Sequence, residues 1–178
     1  MKSVEDLTAT IQQLNIIRHT LSDDGRFPNN IRLPLMVLQK AIYTTDGKTV
    51  KEIFETNGWI NSWEDGIFDF DHYHSTTHEV LGVIRGTARI QFGGPNGVAL
   101  SVDPGDVVIV PAGVAHKFVE GDDDFRVVGA YPEGQPYDLM YGNEGERPKA
   151  DDNIRSVPLP ETDPVYGMDG PLIKNWNS

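Results

Sequence analysis

Four histidines and one glutamate carry the strongest chemical signal in the chain. His72, His74, His78 and Glu79 fall within the stretch from Gly66 to Gly86, and His116 lies in a second segment marked by glycine and proline. Imidazole nitrogen and carboxylate oxygen are ligands for divalent transition metals. His72 and His74 are two apart in a β-like run, which puts both rings on one face, less than roughly 7 Å apart and within reach of one ion. Phe68 and Phe70 continue that spacing, so the face is expected to be buried, with Asp69, Asp71 and Tyr73 turned the other way. A lone buried histidine is usually a hydrogen-bonded core residue. A His-x-His pair that extends a Phe-x-Phe face, with another histidine in a separate strand, reads instead as a metal centre.

The next ligand is ambiguous from the residues alone. In one unbroken strand His78 would share the face of His72 and His74. The intervening Ser75-Thr76-Thr77 has the composition of a turn, and a turn resets the alternation, so either His78 or Glu79 can point inward. In the second segment the run 106–110 reads as a buried strand and Pro111 with Gly113 as a turn. His116, Phe118 and Glu120 then share one face.

These groups need a rigid scaffold, and the pattern from Gly66 to Tyr131 supplies one. Short β-rich runs at 67–74, 79–85, 87–92, 98–102, 106–110, 114–119 and 125–131 are separated by glycine turns, the spacing of an all-β sandwich or barrel. Ala88, Ile90 and Phe92 alternate with Thr87, Arg89 and Gln91, and Gly93 to Gly97 reads as a hairpin loop. Upstream, Ser3 and Asp6 resemble a capping box and Val4, Leu7, Ile11 and Leu14 recur at helical spacing, predicting a helix over 4–14. A short strand is expected near Asn15, another over 34–43, and a short helix around Val50, Ile53 and Phe54. Trp59 and Trp63 read as a packing pair. The proline-rich stretch after Tyr131 is expected to be an irregular arm laid over the barrel, because Leu159, Val165, Leu172, Ile173 and Trp176 need a surface to bury against.

The two histidine segments resemble the cupin signature. Gly66, His72, His74, Glu79 and Gly86 match the first motif, and Gly105, Pro111, Gly113 and His116 match the second, with Glu120 where the family has asparagine. A closer resemblance, to the YjlB-like single-domain bacterial cupins, runs through Phe27-Pro28-Asn29-Asn30, Asn57-Gly58-Trp59, His72-Tyr73-His74-Ser75, His78-Glu79-Val80-Leu81-Gly82, Pro111 to Lys117, Gly129 to Pro132 and Asp163 to Gly167. The resemblance implies an all-β double-stranded β-helix, or jelly-roll barrel, spanning 1–178 as one domain: an N-terminal extension over 1–65, a barrel core over 66–131 and an arm over 132–178. It implies one divalent transition metal (Fe, Mn, Ni or Zn) on His72, His74, Glu79 and His116, and leaves His78 outward or behind the ligands. It also implies a homodimer. Phe68, Phe70, Phe92, Phe118 and Tyr131 are candidates to line the barrel, and Glu120 to support the ligands.

Composition narrows the function classes. The chain has 178 residues, no cysteine and a formal net charge of −12. Without thiolates, any metal is held by nitrogen and oxygen. A phosphate backbone would be repelled, so nucleic acid is not an expected partner. The Asp122-Asp123-Asp124 run reads as a solvated turn. The acidic N-terminus lacks the apolar core of a signal peptide and no apolar run approaches a membrane span, so the expectation is a cytoplasmic protein with a small-molecule ligand. An ion with three imidazoles and one carboxylate keeps about two positions open, the mark of a catalytic rather than a closed structural site. The leading expectation is a metal-dependent oxygenase, isomerase or hydrolase acting on a small polar or anionic metabolite. The alternatives are a small-molecule-binding or sensor protein without turnover, and a barrel whose metal only holds the fold.

Overall fold

The structure, a computed structural model, describes residues 2–177. Two antiparallel sheets face one another. The larger is built from β1 (Asn15–His19), β2 (Leu35–Gln39), β3 (Trp59–Asp65), β4 (Glu79–Arg85), β7 (Val107–Val110) and β9 (Arg126–Pro132), in the order β1-β2-β7-β4-β9-β3. The smaller has β5 (Ala88–Phe92) between β6 (Val98–Val102) and β8 (His116–Gly121). This is the expected jelly-roll arrangement. None of the described helices is long and apolar enough to cross a membrane.

The larger sheet is covered on both faces, which explains why β4 and β7 are apolar without alternation. Leu81, Val83, Val108 and Val127 point between the sheets and meet Ile90 and Phe92 of the smaller one. Val80, Ile84, Ile109, Val128 and Ala130 point the other way, against α1 (Gly47–Thr56) and the C-terminal arm. The helix α1 is amphipathic as its spacing requires, with Val50, Ile53 and Phe54 buried and Asp46 capping the Thr49 amide.

Three expectations about elements are corrected. The predicted 4–14 helix is two short 3-10 turns, Val4–Leu7 and Ile11–Gln13, although the Ser3–Asp6 capping box forms. Between them the chain is extended because its backbone pairs with another segment: Ala9 N–H donates to Ala41 O at 2.8 Å and Tyr43 N–H to Leu7 O at 2.7 Å. Tertiary pairing outcompetes the helical spacing of four apolar residues in a segment too short to hold a helix by itself. The run 67–74 is not a strand: bends at Asp69 and Phe70 interrupt it, leaving isolated bridges from His72 to His116 and from Tyr73 to Met140. The arm is more regular than expected. It contains α2 (Lys149–Ser156) and α3 (Pro171–Trp176), and it buries Val165, Leu172 and Trp176 while Leu159 stays exposed.

Candidate metal centre

The site forms where the 66–78 connection crosses the open end between the sheets. His72 and His116 exchange backbone hydrogen bonds (His72 N–H to His116 O, 3.2 Å; His116 N–H to His72 O, 2.9 Å), which fixes the irregular loop to the first residue of β8. The ring centroids of His72 and His116 are 4.1 Å apart, and His74 lies 5.9 and 5.8 Å from them. One ligand nitrogen from each ring falls within 4.8 Å of the other two, and all three residues are buried, so the group could hold a metal ion.

Glu79 opens β4 on the face of Leu81 and Val83, which is the inner one. His78 therefore falls on the face of Val80 and Ile84, behind the sheet. The ambiguity left by the 75–77 turn is resolved by where β4 begins. Glu79 is fully buried, with Oε1 3.3 Å from His116 Nε2 and Oε2 3.5 Å from His74 Nε2.

The hydrogen bonds behind the rings decide what these atoms can do. Nδ1 of His72 lies 3.0 Å from Phe70 O, Nδ1 of His116 lies 3.0 Å from Val114 O, and Nδ1 of His74 contacts Asp138 O. A carbonyl only accepts, so each Nδ1 carries the hydrogen and each neutral ring keeps its lone pair on Nε2. Two such lone pairs face two carboxylate oxygens in a buried site, and acceptors apposed this way require a cation between them. The cluster therefore fits a metal ion on the chemistry of its donor set, and protons fill the role when no metal is bound. Burial works against charge on His74, but Glu79 outweighs it and raises the pKa above the ordinary value. Burial likewise works against the Glu79 carboxylate, and His74 and His116 together hold its pKa down. His72, desolvated and beside His116, is lowered to about 3 and stays neutral.

The structure adds residues that spacing did not reveal. Trp63 Nε1 donates to the Tyr131 hydroxyl at 2.8 Å. Tyr131 is held protonated by burial and by Glu79, toward which its own O–H is directed. Trp63 reaches this position because β3 is bulged between Ile60 and Trp63 and Asn61 is left-handed (φ 61°). The bulge puts Trp59 and Trp63 on opposite faces, so they are not the packing pair expected: Trp59 is core, and Trp63 lines the cavity beside the histidines. Across the ladder from Trp63 sits Gly129, where a Cβ would lie 2.3 Å from the indole. Tyr137 from the arm completes the wall, stacked on Tyr131 and edge-on to His74.

Several anticipated neighbours lie elsewhere. Tyr131 and Phe68 line the cavity, but Phe68 is half-exposed at its mouth. Phe70 stacks on Phe68 at 4.8 Å and is also exposed, because the bends at Asp69 and Phe70 break the alternation that would have buried both. Phe92 and Phe118 pack in the intersheet core and do not line the cavity. Glu120 is exposed, since a register shift in the β5–β8 ladder leaves Val119 extra and reverses the face beyond it. His78 is neither outward nor in contact with the ligands. It is buried, with Nδ1 accepting the Ala112 N–H at 2.9 Å and its ring against Trp176.

Comparison with known proteins identifies the family. The Cupin domain family matches residues 65–131, which contain both histidine motifs. "Uncharacterized protein YjlB" from Bacillus subtilis (strain 168) is 45% identical over 154 residues, covering 86% of this chain and 92% of that protein. Among solved structures, acireductone dioxygenase from Bacillus anthracis with cadmium ion in its active centre is similar at 20% identity and a TM-score of 0.34, over 53% of this chain and 58% of that one. An oxalate decarboxylase variant from Bacillus subtilis is similar at 23% identity and a TM-score of 0.36, over 61% of this chain and 27% of that one. The long match to YjlB, together with a cupin match that spans both motifs, shows that the chain belongs to the cupin superfamily and within it to the YjlB-like proteins.

Proposed function

We propose that the chain is a metal-dependent enzyme in which His72, His74, Glu79 and His116 hold one divalent transition ion (Fe, Mn, Ni or Zn) at the floor of a small-molecule cavity. The observation that carries this reading is the apposition of Nε2 lone pairs, on rings tethered from behind, and a buried carboxylate, beside a cavity that opens to solvent. An ion bound there supplies Lewis-acid polarisation of a ligand oxygen or, as iron, oxygen activation. The chain's own residues support that chemistry. Backbone carbonyls fix the tautomers, and Tyr131 keeps its hydroxyl proton beside Glu79.

The reading is tested by element-resolved metal analysis of protein prepared in metal-supplemented medium, followed by an oxygen-uptake screen over small metabolites. About one transition-metal ion per chain is expected, as for a mononuclear site. His74→Ala is expected to lose it. Protein that carries no transition metal under these conditions sinks the proposal.

A further inference from the structure

The walls of the cavity constrain what enters it. Its volume is about 460 Å3, within the range of small-molecule sites. Trp63, Phe68, Tyr131 and Tyr137 form its aromatic side. Tyr131 and Tyr137 stack with centroids 5.0 Å apart and an interplanar angle of 22°, and Tyr137 meets His74 edge-on at 5.3 Å. Tyr131 is buried and Tyr137 is 50% exposed, so this wall runs from the histidines out to solvent. At the mouth the aromatic surface continues through Phe68 and Phe70 to Tyr141, whose ring lies 5.8 Å from that of Phe70.

The charge lining argues in the same direction. Among the described residues no lysine or arginine lines the cavity, and apart from Glu79 the acidic ones that do are Glu64 and Asp65. The guanidinium of Arg126 is engaged by Glu64, with Nε 3.2 Å from Oε2 and Nη2 3.3 Å from the backbone carbonyl. A site built for a carboxylate or phosphate presents arginine or lysine to it. Here an incoming dianion gains no cation from the walls and meets the Asp65 carboxylate, while that of Glu64 is turned toward Gly47 of α1 and paired with Arg126, on a chain of net charge −12. Flat aromatic walls instead suit a flat ring, through offset stacking and edge-to-face contact.

We infer that the ligand of this cavity is an uncharged, flat aromatic molecule, with its oxygen-bearing edge toward the histidines and its ring along the Tyr131–Tyr137 wall, rather than the small anion that a positive metal centre alone would favour. The placement of the oxygen-bearing edge rests on the metal reading above. The aromatic body rests on the walls alone.

Calorimetry on zinc-loaded protein tests this with three probes: 2,3-dihydroxynaphthalene, 2-naphthol and oxalate, with zinc content measured on the same samples. The diol is expected to bind at least about tenfold more tightly than oxalate. Tyr137→Ala is expected to weaken both naphthols by about tenfold at unchanged zinc content, and Tyr137→Phe to restore them. Tyr137 is half-exposed, so neither variant threatens the fold. Tighter binding of oxalate than of the diol overturns the inference, as does naphthol binding that is indifferent to Tyr137→Ala. If the protein does not retain zinc, the metal reading fails separately. In that case 2-naphthol binding to the zinc-free protein that depends on Tyr137 supports the aromatic body, and its absence overturns it.

Discussion

His74 and His78 are four residues apart and do opposite work. The Nδ1 of His74 is a donor to Asp138 O, which frees Nε2 toward Glu79. The Nδ1 of His78 is an acceptor from the Ala112 amide, and burial, aided by the charge of Arg32, lowers its pKa to about 3. His78 is therefore a neutral core residue under Trp176. His78→Ala is expected to keep the metal while losing roughly 2–4 kcal/mol of stability, because it opens a cavity and strands a buried amide. Metal analysis beside a urea melt checks this, and loss of the metal with an unchanged midpoint would reverse the assignment. Residue types and spacing made the histidine pair and His116 legible in the sequence. The choice between His78 and Glu79 was legible only through the resemblance to the cupin motif, because from the residues alone it depends on how many residues the 75–77 turn consumes, and that is set by where β4 pairs with β7 (Glu79 opposite Val110). Trp63 and Tyr137 were hidden for a related reason. Their place in the wall depends on a β3 bulge and on an arm folded back from a distance in sequence.

At the scale of elements, a loop holds two of the candidate ligands and the arm holds the loop. Asp138 accepts from Ser75 N–H at 2.6 Å, and Met140 pairs with Tyr73 through bonds of 2.9 Å in both directions. Glu146 accepts from the Tyr73 hydroxyl and from the Tyr141 and Gly142 amides, each at 2.9 Å. Burial opposes the Glu146 charge, but these donors outweigh it and hold its pKa below the ordinary 4.5. A depressed carboxylate contributes stability that is present above its unfolded pKa and lost as pH falls through the lower folded value. Glu146→Gln is therefore expected to lower the thermal midpoint by about 2–4 °C at neutral pH, for roughly 1 kcal/mol of lost charge-assisted bonding. That gap should close as the medium is acidified below pH 4.5. A gap that stays constant across the range would mean that the carboxylate charge is not what anchors the loop. The strands from β4 to β9 were legible because glycine turns bound them, with alternation in β5 and unbroken apolar runs in β4 and β7. Residues 4–14 were not, because their apolar spacing fits a helix while the Leu7 carbonyl and the Ala9 amide are claimed by the 41–43 segment.

Across the whole molecule the candidate centre sits at one end of a structure whose two apolar layers are built from other residues. The six-stranded sheet is buried against the smaller sheet on one face and against α1 and the arm on the other. Phe54, Trp59, Leu38 and Phe92 are fully buried in those two layers. Each such side chain is worth roughly 1.5–3 kcal/mol relative to exposure, and the two layers hold many of them. A bound ion adds only its linkage term, about 4 kcal/mol at a free concentration a thousandfold above its dissociation constant. Chelation is therefore expected to leave a folded barrel, with unchanged far-ultraviolet circular dichroism and one cooperative transition at a lower midpoint, and readdition of metal should restore the original midpoint. Global unfolding on chelation would show that the ion is structural, in the manner of small domains whose folding energy is metal binding. A protein of this size with two buried layers has no such need, so burying three histidines and a glutamate at the end of the sheet is a cost better explained by chemistry at the cavity than by support of the fold.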